Sequence, residues 1–412
     1  MKILVVSQYF YPENFRINTL CRELVHRGHE VTVMTGYPQY PGGVIYEGYG
    51  FDLPYEKEWE GVKIQRVKTI PRGHNAVGLL RNCVSYVRSG NRWVRHCREE
   101  FDAVFVFEVS PVTVGLPAVA YHKKFGTPVF FNLQDLWPEN VHEVLGIRFP
   151  PLTWVINRIV DKIYNSSDKI LCASNGFVKN LKNRGVDPKK LVFWPQFCQK
   201  PELTDAVKPE IFSEDTFNIV FTGNIGDAQG LDLMIAAARE LKGQGIRWYL
   251  VGDGRAKPRL EKLVQAYGVE NDVIFAGRVS EAEANRYVHF ADCAYLSFTN
   301  NNLFNMTLPA KLQTYLACGA PILAAAGGES AELIRSAQCG IAVPPELDEL
   351  VKAVRQMAAL QPEKRRSLAE NGQAYYRSHF TMDALVDQLL EMMTDATKKN
   401  NTAYGEYYES AN

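Results

Sequence analysis

Two glycine-rich segments and one lysine hold most of the chemistry legible in this chain. Gly223-Asn224-Ile225-Gly226-Asp227-Ala228-Gln229-Gly230 and Gly252-Asp253-Gly254-Arg255 each follow an apolar run and lead into a helical pattern. Free backbone N–H groups and the dipole at such a helix start favour an anion such as phosphate. Each spacing taken alone also fits a tight turn that needs glycine. Neither segment is a G-x-G-x-x-G fingerprint, and no acidic ribose partner accompanies them, which disfavours a nicotinamide oxidoreductase. The third feature is Leu308-Pro309-Ala310-Lys311. Proline begins a helix cleanly, but a lysine in the first turn opposes the dipole unless an anion offsets it. Lys311 is therefore a candidate phosphate ligand, with a solvated lysine as the alternative.

The elements that must position these residues follow from periodicity. Residues 2–7 read as a buried strand, followed by a loop at 8–14, an amphipathic helix at 16–26, a stop at Gly28 and a second strand at 30–35. Further buried strands are expected at 103–108, 129–133 and 169–173. A second series starts at Phe217 and alternates strands at about 248–251, 273–275, 293–296, 321–324 and 340–343 with helices. Runs apolar on both faces indicate parallel sheets, and 412 residues exceed what one core supports, so two doubly wound α/β lobes are expected. The expected organisation is a first lobe at 1–200, a linker at 201–215, a second lobe at 216–380, a helix at 381–396 and a flexible tail at 397–412. In such sheets ligands sit at the carboxyl ends of strands, which makes the loops after the strands and the cleft between the lobes the first places to look.

Taken together, these pieces resemble the family 4 retaining glycosyltransferases of GT-B type, over nearly the whole chain. The markers are Gln8-Tyr9-Phe10-Tyr11-Pro12-Glu13-Asn14, Arg27-Gly28-His29-Glu30-Val31-Thr32-Val33, the two glycine segments, and Pro309-Ala310-Lys311-Leu312-Gln313-Thr314-Tyr315 running into Gly319-Ala320-Pro321-Ile322. The segment Gln134-Asp135-Leu136-Trp137-Pro138-Glu139 is similar to the bacterial surface-polysaccharide branch of WbuB-like N-acetyl-L-fucosamine transferases. The resemblance implies a GT-B fold, two Rossmann-like lobes facing a cleft, with a UDP-sugar donor on the second lobe and an acceptor on the first. It further implies transfer to a lipid-linked oligosaccharide precursor in O-antigen, capsule or exopolysaccharide synthesis.

Carried over position by position, the resemblance places the nucleotide diphosphate against Gly223, Asn224, Gly226 and Lys311, and the base near Arg278 and Val279. Two glutamates that many relatives use for the sugar and the ribose are matched here by Met306 and Thr314. A basic pair near the first glycine segment is matched by Asn224 and Gln229. Lys311, with Arg255 or Arg16, must then carry more of the charge compensation. A retaining transfer of this kind lets the departing phosphate take the acceptor's proton, so the enzyme chiefly stabilises the leaving group. Asp135, after the strand 129–133, is positioned to face the sugar, with a cap on the next helix as the alternative. Glu13 and Asn14 are similar candidates for substrate contact. His26 and His29 flank a helix end and read as structural. No Asp-x-Asp pair occurs, so the metal-bridged diphosphate of the other major glycosyltransferase architecture finds no support and no metal or other cofactor is expected.

Composition bounds the rest. The chain is 46% hydrophobic and 22% charged, with zero formal net charge, as in a folded enzyme rather than a disordered segment. Its eight cysteines are scattered without metal-site or redox-pair spacing and are expected to be buried thiols. The short apolar start and the lack of a span-length apolar run predict a cytoplasmic protein that does not cross a bilayer. Between Glu60 and Glu99 stand nine basic residues and no acid. Interleaved with Leu79, Leu80, Val84, Trp93 and Val94, the segment 63–98 suits an amphipathic helix on an anionic membrane surface at the inner face, or else a solvated basic face. Nucleic acid is not expected, since no binding module accompanies the charge. A nucleotide-sugar epimerase of the same architecture and a non-catalytic partner in a polysaccharide assembly complex are the rival readings. A periplasmic-type sugar-binding protein would need the export signal that is not seen here.

Overall fold

A strand that is apolar at every position needs cover on both faces, and parallel strands connected by helices supply it. The computed structural model describes residues 1–109, 111–139, 149–299 and 302–410. The chain forms two compact units, one of Met1–Ala173, Phe177–Trp194 and Val386–Asn412, the other of Ser174–Gly176 and Pro195–Leu385. The first contains β1 (Lys2–Ser7), β2 (Glu30–Thr35), β3 (Glu58–Trp59), β4 (Val62–Arg66), β5 (Ala103–Glu108), β6 (Val129–Leu133), β7 (Lys169–Cys172) and β8 (Leu191–Phe193). Their spatial order is β3-β4-β2-β1-β5-β6-β7-β8. Among the described residues only the β3–β4 pair is antiparallel. β1 lies at the centre, with Leu4 opposite Thr32 of β2 and Val104 of β5, and its residues Ile3 to Val6 have no exposed surface.

Helices α1 (Arg16–His26), α2 (Ala76–His96) and α3 (Leu116–Phe125) belong to the same unit. α1 turns Ile17, Leu20, Cys21 and Leu24 inward at helical spacing. The second unit has β9 (Phe217–Thr222), β10 (Ile246–Val251), β11 (Val273–Gly277), β12 (Cys293–Ser297), β13 (Ile322–Ala325) and β14 (Gly340–Val343). They lie in the order β11-β10-β9-β12-β13-β14, all parallel. Its core is anchored by Trp248, 1% exposed, packed edge-on against Tyr295 with ring centroids 5.4 Å apart. Seven of the eight cysteines are buried and Cys97 is partly so, all as free thiols. No described helix is long and apolar enough to cross a membrane.

Three strands were not expected from the sequence: β3, β4 and β8. β4 alternates buried and open positions, a weaker signal than an all-apolar run, and it lies inside the basic segment. That segment is therefore not one helix. Residues 62–66 are strand, and the helix begins only at Ala76, where the Asn75 side chain accepts from Gly78 N at 2.7 Å. Arg66 faces inward, 5% exposed, donating to the carbonyls of Gly36 (2.9 Å) and Tyr11 (2.6 Å). It contributes nothing to a basic surface.

The closing helix runs Met382–Ser410, through most of the stretch expected to be a tail. Low apolar content does not by itself end a helix, and this stretch has no proline to do so. Its Val386, Leu389 and Met393 are fully buried, Asp387 pairs with Arg27, and the Thr397 hydroxyl donates to Asp102 O at 3.2 Å. The last turns of the chain are thus part of the first unit. Leu389→Ala should lower the unfolding free energy by about 2–5 kcal/mol, read from urea transitions, whereas a loss below about 0.5 kcal/mol would show that the closing helix is not part of that core.

Candidate functional site

In the second unit the two glycine segments lie against each other because the parallel ladder continues past the strand ends. Gly223 N donates to Val251 O at 2.9 Å, Ile225 N to Asp253 O at 2.9 Å, and Gly252 N to Gly277 O at 2.7 Å. Gly252 has φ +147, and a Cβ there would lie 2.0 Å from the Gly223 carbonyl oxygen. Glycine is required by that approach as much as by the torsion. Beside these loops is a pocket of about 460 Å³, lined by Gly223, Asn224, Gly252, Asp253, Arg278, Val279 and Ser280 among others. The structure thus brings Gly223, Asn224, Arg278 and Val279 to one cavity. Arg278 is exposed and has no ion pair among the described residues.

Lys311 enters from the first turn of the helix Ala310–Cys318, whose N-terminus has no side-chain cap. Its Nζ donates to Gln229 Oε1 at 2.7 Å and lies 4.1 Å from the centre of the Phe221 ring. A Cβ built on Gly223 would be 3.8 Å from the same nitrogen. Lys311 is partly exposed by surface area, yet burial of its ammonium pushes its pKa down to about 7. An uncapped helix start, glycine-lined N–H groups and a cation with no carboxylate partner are the chemistry that an anion such as phosphate requires.

The remaining second-unit candidates are placed differently. Arg255 is exposed and its Nε pairs with Asp227 at 3.0 Å, so its charge is already compensated. Gly226 packs next to Asn224, whose Nδ2 would lie 2.7 Å from a Cβ at that glycine. Thr314 donates to the Ala310 carbonyl at 3.4 Å and is 3.6 Å from the Cys198 sulfur. Met306 ends a short helix, and its carbonyl accepts from the Ser174 hydroxyl.

In the first unit the candidates divide into a buried staple and an open edge. Glu13, 2% exposed, accepts at Oε1 from the backbone N–H of Gln39 (2.8 Å) and Tyr40 (2.7 Å), and at Oε2 from Phe10 N (3.3 Å). Burial raises its pKa against the lowering effect of those bonds. Its carboxylate ties the loop after β1 to the loop after β2, which sets it apart from the substrate contact expected of it. Asn14 is exposed and Arg16, in the first turn of α1, is half-exposed.

Asp135 lies half-buried just beyond β6. What holds it was not visible in the sequence. Glu108, the last residue of β5 and without exposed surface, accepts from Gln134 N (3.0 Å) and Asp135 N (3.0 Å) at Oε2 and from the Trp137 indole N–H (3.1 Å) at Oε1. Burial and then the charge of Asp135 push the Glu108 pKa well above the usual carboxylate range. One signal was present in the sequence, a glutamate ending an otherwise apolar strand. The rival role for Asp135, a cap on the following helix, falls where residues 140–148 lie outside the described residues. Among the described residues no group of three or more His, Cys, Asp or Glu is placed to hold a metal ion.

Comparison with known proteins matches both units. The family profile "Glycosyl transferase 4-like domain" covers residues 14–196, and the profile "Glycosyl transferases group 1" covers residues 204–375. The putative colanic acid biosynthesis glycosyl transferase WcaI of Escherichia coli is 26% identical over 87% of this chain and 93% of its own length. The alpha-D-kanosaminyltransferase of Streptomyces kanamyceticus is 28% identical over 42% of this chain and 44% of its own length. Among solved structures, HepE from Anabaena in complex with UDP aligns with a TM-score of 0.67 at 15% identity, covering 96% of this chain and all of that one. Sucrose-phosphate synthase from Thermosynechococcus elongatus aligns with a TM-score of 0.70 at 16% identity, covering 96% and 98%. These likenesses establish a two-lobed GT-B fold.

Glu108 also generates a pH expectation. Its folded pKa is raised above its unfolded value, so its contribution to stability is full below about 4.5 and is lost as pH rises through the folded value. Between pH 4.5 and 8 the wild type should therefore lose stability relative to Glu108→Gln, measured as the difference in melting temperature. A pH-independent difference would mean that the group is an ordinary carboxylate.

Proposed function

The chain belongs to the family 4 glycosyltransferases of GT-B architecture, and from that premise we propose that it transfers a sugar, with retention of configuration, from a UDP-sugar to a lipid-linked glycan precursor. The observation that carries this reading is the anion site made by the glycine loops and Lys311, beside a cavity of about 460 Å³ that Arg278 and Val279 also line. The diphosphate lies against Gly223, Asn224 and Lys311, and the base toward Arg278 and Val279. The likeness to HepE solved with UDP supports a uridine nucleotide. The likeness to the colanic acid transferase WcaI supports a role in surface-polysaccharide synthesis. The donor sugar of this proposal, N-acetyl-L-fucosamine or a related amino sugar, rests on the resemblance carried by residues 134–139. The enzyme acts at the inner face of the cell membrane, which the exposed arginines of α2 contact.

In the transfer, the bond from the sugar anomeric carbon to the donor phosphate oxygen breaks and a bond from that carbon to the acceptor oxygen forms on the same face. The acceptor's proton passes to the departing phosphate. Lys311 and the N-terminus of its helix stabilise the charge that develops on the leaving diphosphate. Asp135 faces the sugar, held by the backbone bonds to Glu108, and stabilises positive charge on the sugar ring.

Two measurements test this. In the free enzyme Lys311 loses its proton near pH 7, and a bound diphosphate holds the proton on. UDP affinity should then fall as pH rises above about 7, with calorimetric proton uptake approaching one per site. Lys311→Ala should abolish that dependence and weaken UDP by about 1.5–3 kcal/mol while leaving uridine unchanged. Equal weakening of both ligands would remove Lys311 from the phosphate site. For the transfer itself, Asp135→Asn should keep its melting temperature and lose turnover at least tenfold, roughly 1.4 kcal/mol. Turnover within twofold of the parent would remove Asp135 from the reaction, and interconversion of the donor sugar without acceptor would identify an epimerase instead.

A further inference from the structure

The groove between α2 and the end of β4 has a chemistry that the transfer reaction does not use. Ser89, Arg92, Trp93 and His96 recur at three- and four-residue intervals and so form one stripe along α2. Across from them the chain from Gln65 to Lys68 completes a cavity of about 420 Å³. Lys68, Arg92 and His96 are exposed, and among the described residues no carboxylate lines the cavity. Neither Lys68 nor Arg92 has an ion pair among the described residues. Cations gathered from two elements without a counter-charge repel one another until an anion joins them. The Ser89 hydroxyl and the Gln65 amide add neutral donors, and the half-buried Trp93 indole gives the groove an apolar wall.

The same helix shows where that anion comes from. On its N-terminal half Val77, Leu80 and Val84 lie on one face and are 66%, 65% and 45% exposed. Arg81, Arg88 and Arg95 are exposed beside them. An apolar ridge flanked by arginines suits the boundary between head groups and acyl chains, where a phosphate is the nearest strong acceptor.

We propose that the groove bounded by Gln65, Lys68, Ser89, Arg92, Trp93 and His96 binds the phosphate of an anionic membrane lipid, so that α2 recognises a head group rather than surface charge alone. The proposal rests on the membrane contact put forward above and adds a defined site to it. Lys68 and Arg92 contact the phosphate oxygens, Trp93 packs against the glycerol and first methylenes, and the Val77–Leu80–Val84 ridge enters the acyl boundary.

Two charge-matched pairs of substitutions separate site from surface. Lys68→Gln with Arg92→Gln alters the groove, and Arg81→Gln with Arg88→Gln removes the same charge outside it. Both are compared with the full-length parent, first in flotation with phosphatidylcholine vesicles carrying phosphatidylglycerol, then in calorimetry with monomeric dioctanoylphosphatidic acid. The expected result is that the parent binds the short-chain lipid, that the groove pair loses this binding at least tenfold, and that the outside pair loses less than twofold. Parent flotation with no binding of the short-chain lipid, or with equal losses in the two pairs, would overturn the site while leaving the membrane contact standing. Absence of parent flotation would overturn both. Inorganic phosphate binding as tightly as the short-chain lipid would identify a free-phosphate site and overturn the lipid assignment.

Discussion

The second unit is organised around the contact between two backbones. Gly252 passes so near the Gly223 carbonyl that no side chain fits between them, and hydrogen bonds keep the ladder of β9, β10 and β11 intact beyond the strand ends. Loops that leave a sheet normally diverge at this point. Here they stay paired, so the N–H groups and side chains next to them hold fixed positions around one cavity. Phe221 of β9 and Gly223 after it both lie beside the Lys311 ammonium.

Lys311 shows what its surroundings do to a cation that has no carboxylate partner. The ammonium has one amide oxygen and one aromatic face as neighbours and sits at the positive end of a helix. Each of these tolerates a cation poorly or only weakly compensates it, and burial shifts the balance toward the neutral amine. An anion brought next to the ammonium would reverse that balance.

In the first unit, carboxylates organise the loops. Glu13 gathers three backbone N–H groups from two loops, and Glu108 gathers two more with an indole N–H. A buried carboxylate is stable only when its acceptors are filled, so each one requires a particular loop path. Glu108 differs in having Asp135 nearby, and that second acid raises the cost of charging it. The loop at Asp135 is consequently held by an acid whose pKa burial and a neighbouring carboxylate both raise.

Much of this was legible in the sequence because it depends on local order. Apolar periodicity marked most strands and helices, the glycine segments marked the loops that need them, and Pro309 marked the start of the helix that carries Lys311. What depends on strand order was hidden. Glu108 reaches residues 134, 135 and 137 only because β5 and β6 are neighbours, and no spacing announces that adjacency. Glu13 looked like a substrate contact because it lies in the first β-loop-α turn; its inward direction is set by the N–H groups of residues 39 and 40. β4 was hidden by its alternating pattern and by the basic residues around it, so one expected helix is a strand, a loop and a helix that enclose a groove. The sequence alone determined the elements whose apolar pattern is strong, since periodicity is a property of neighbouring residues. The tertiary structure alone decided which polar atoms meet, because those encounters bring together residues far apart in the chain.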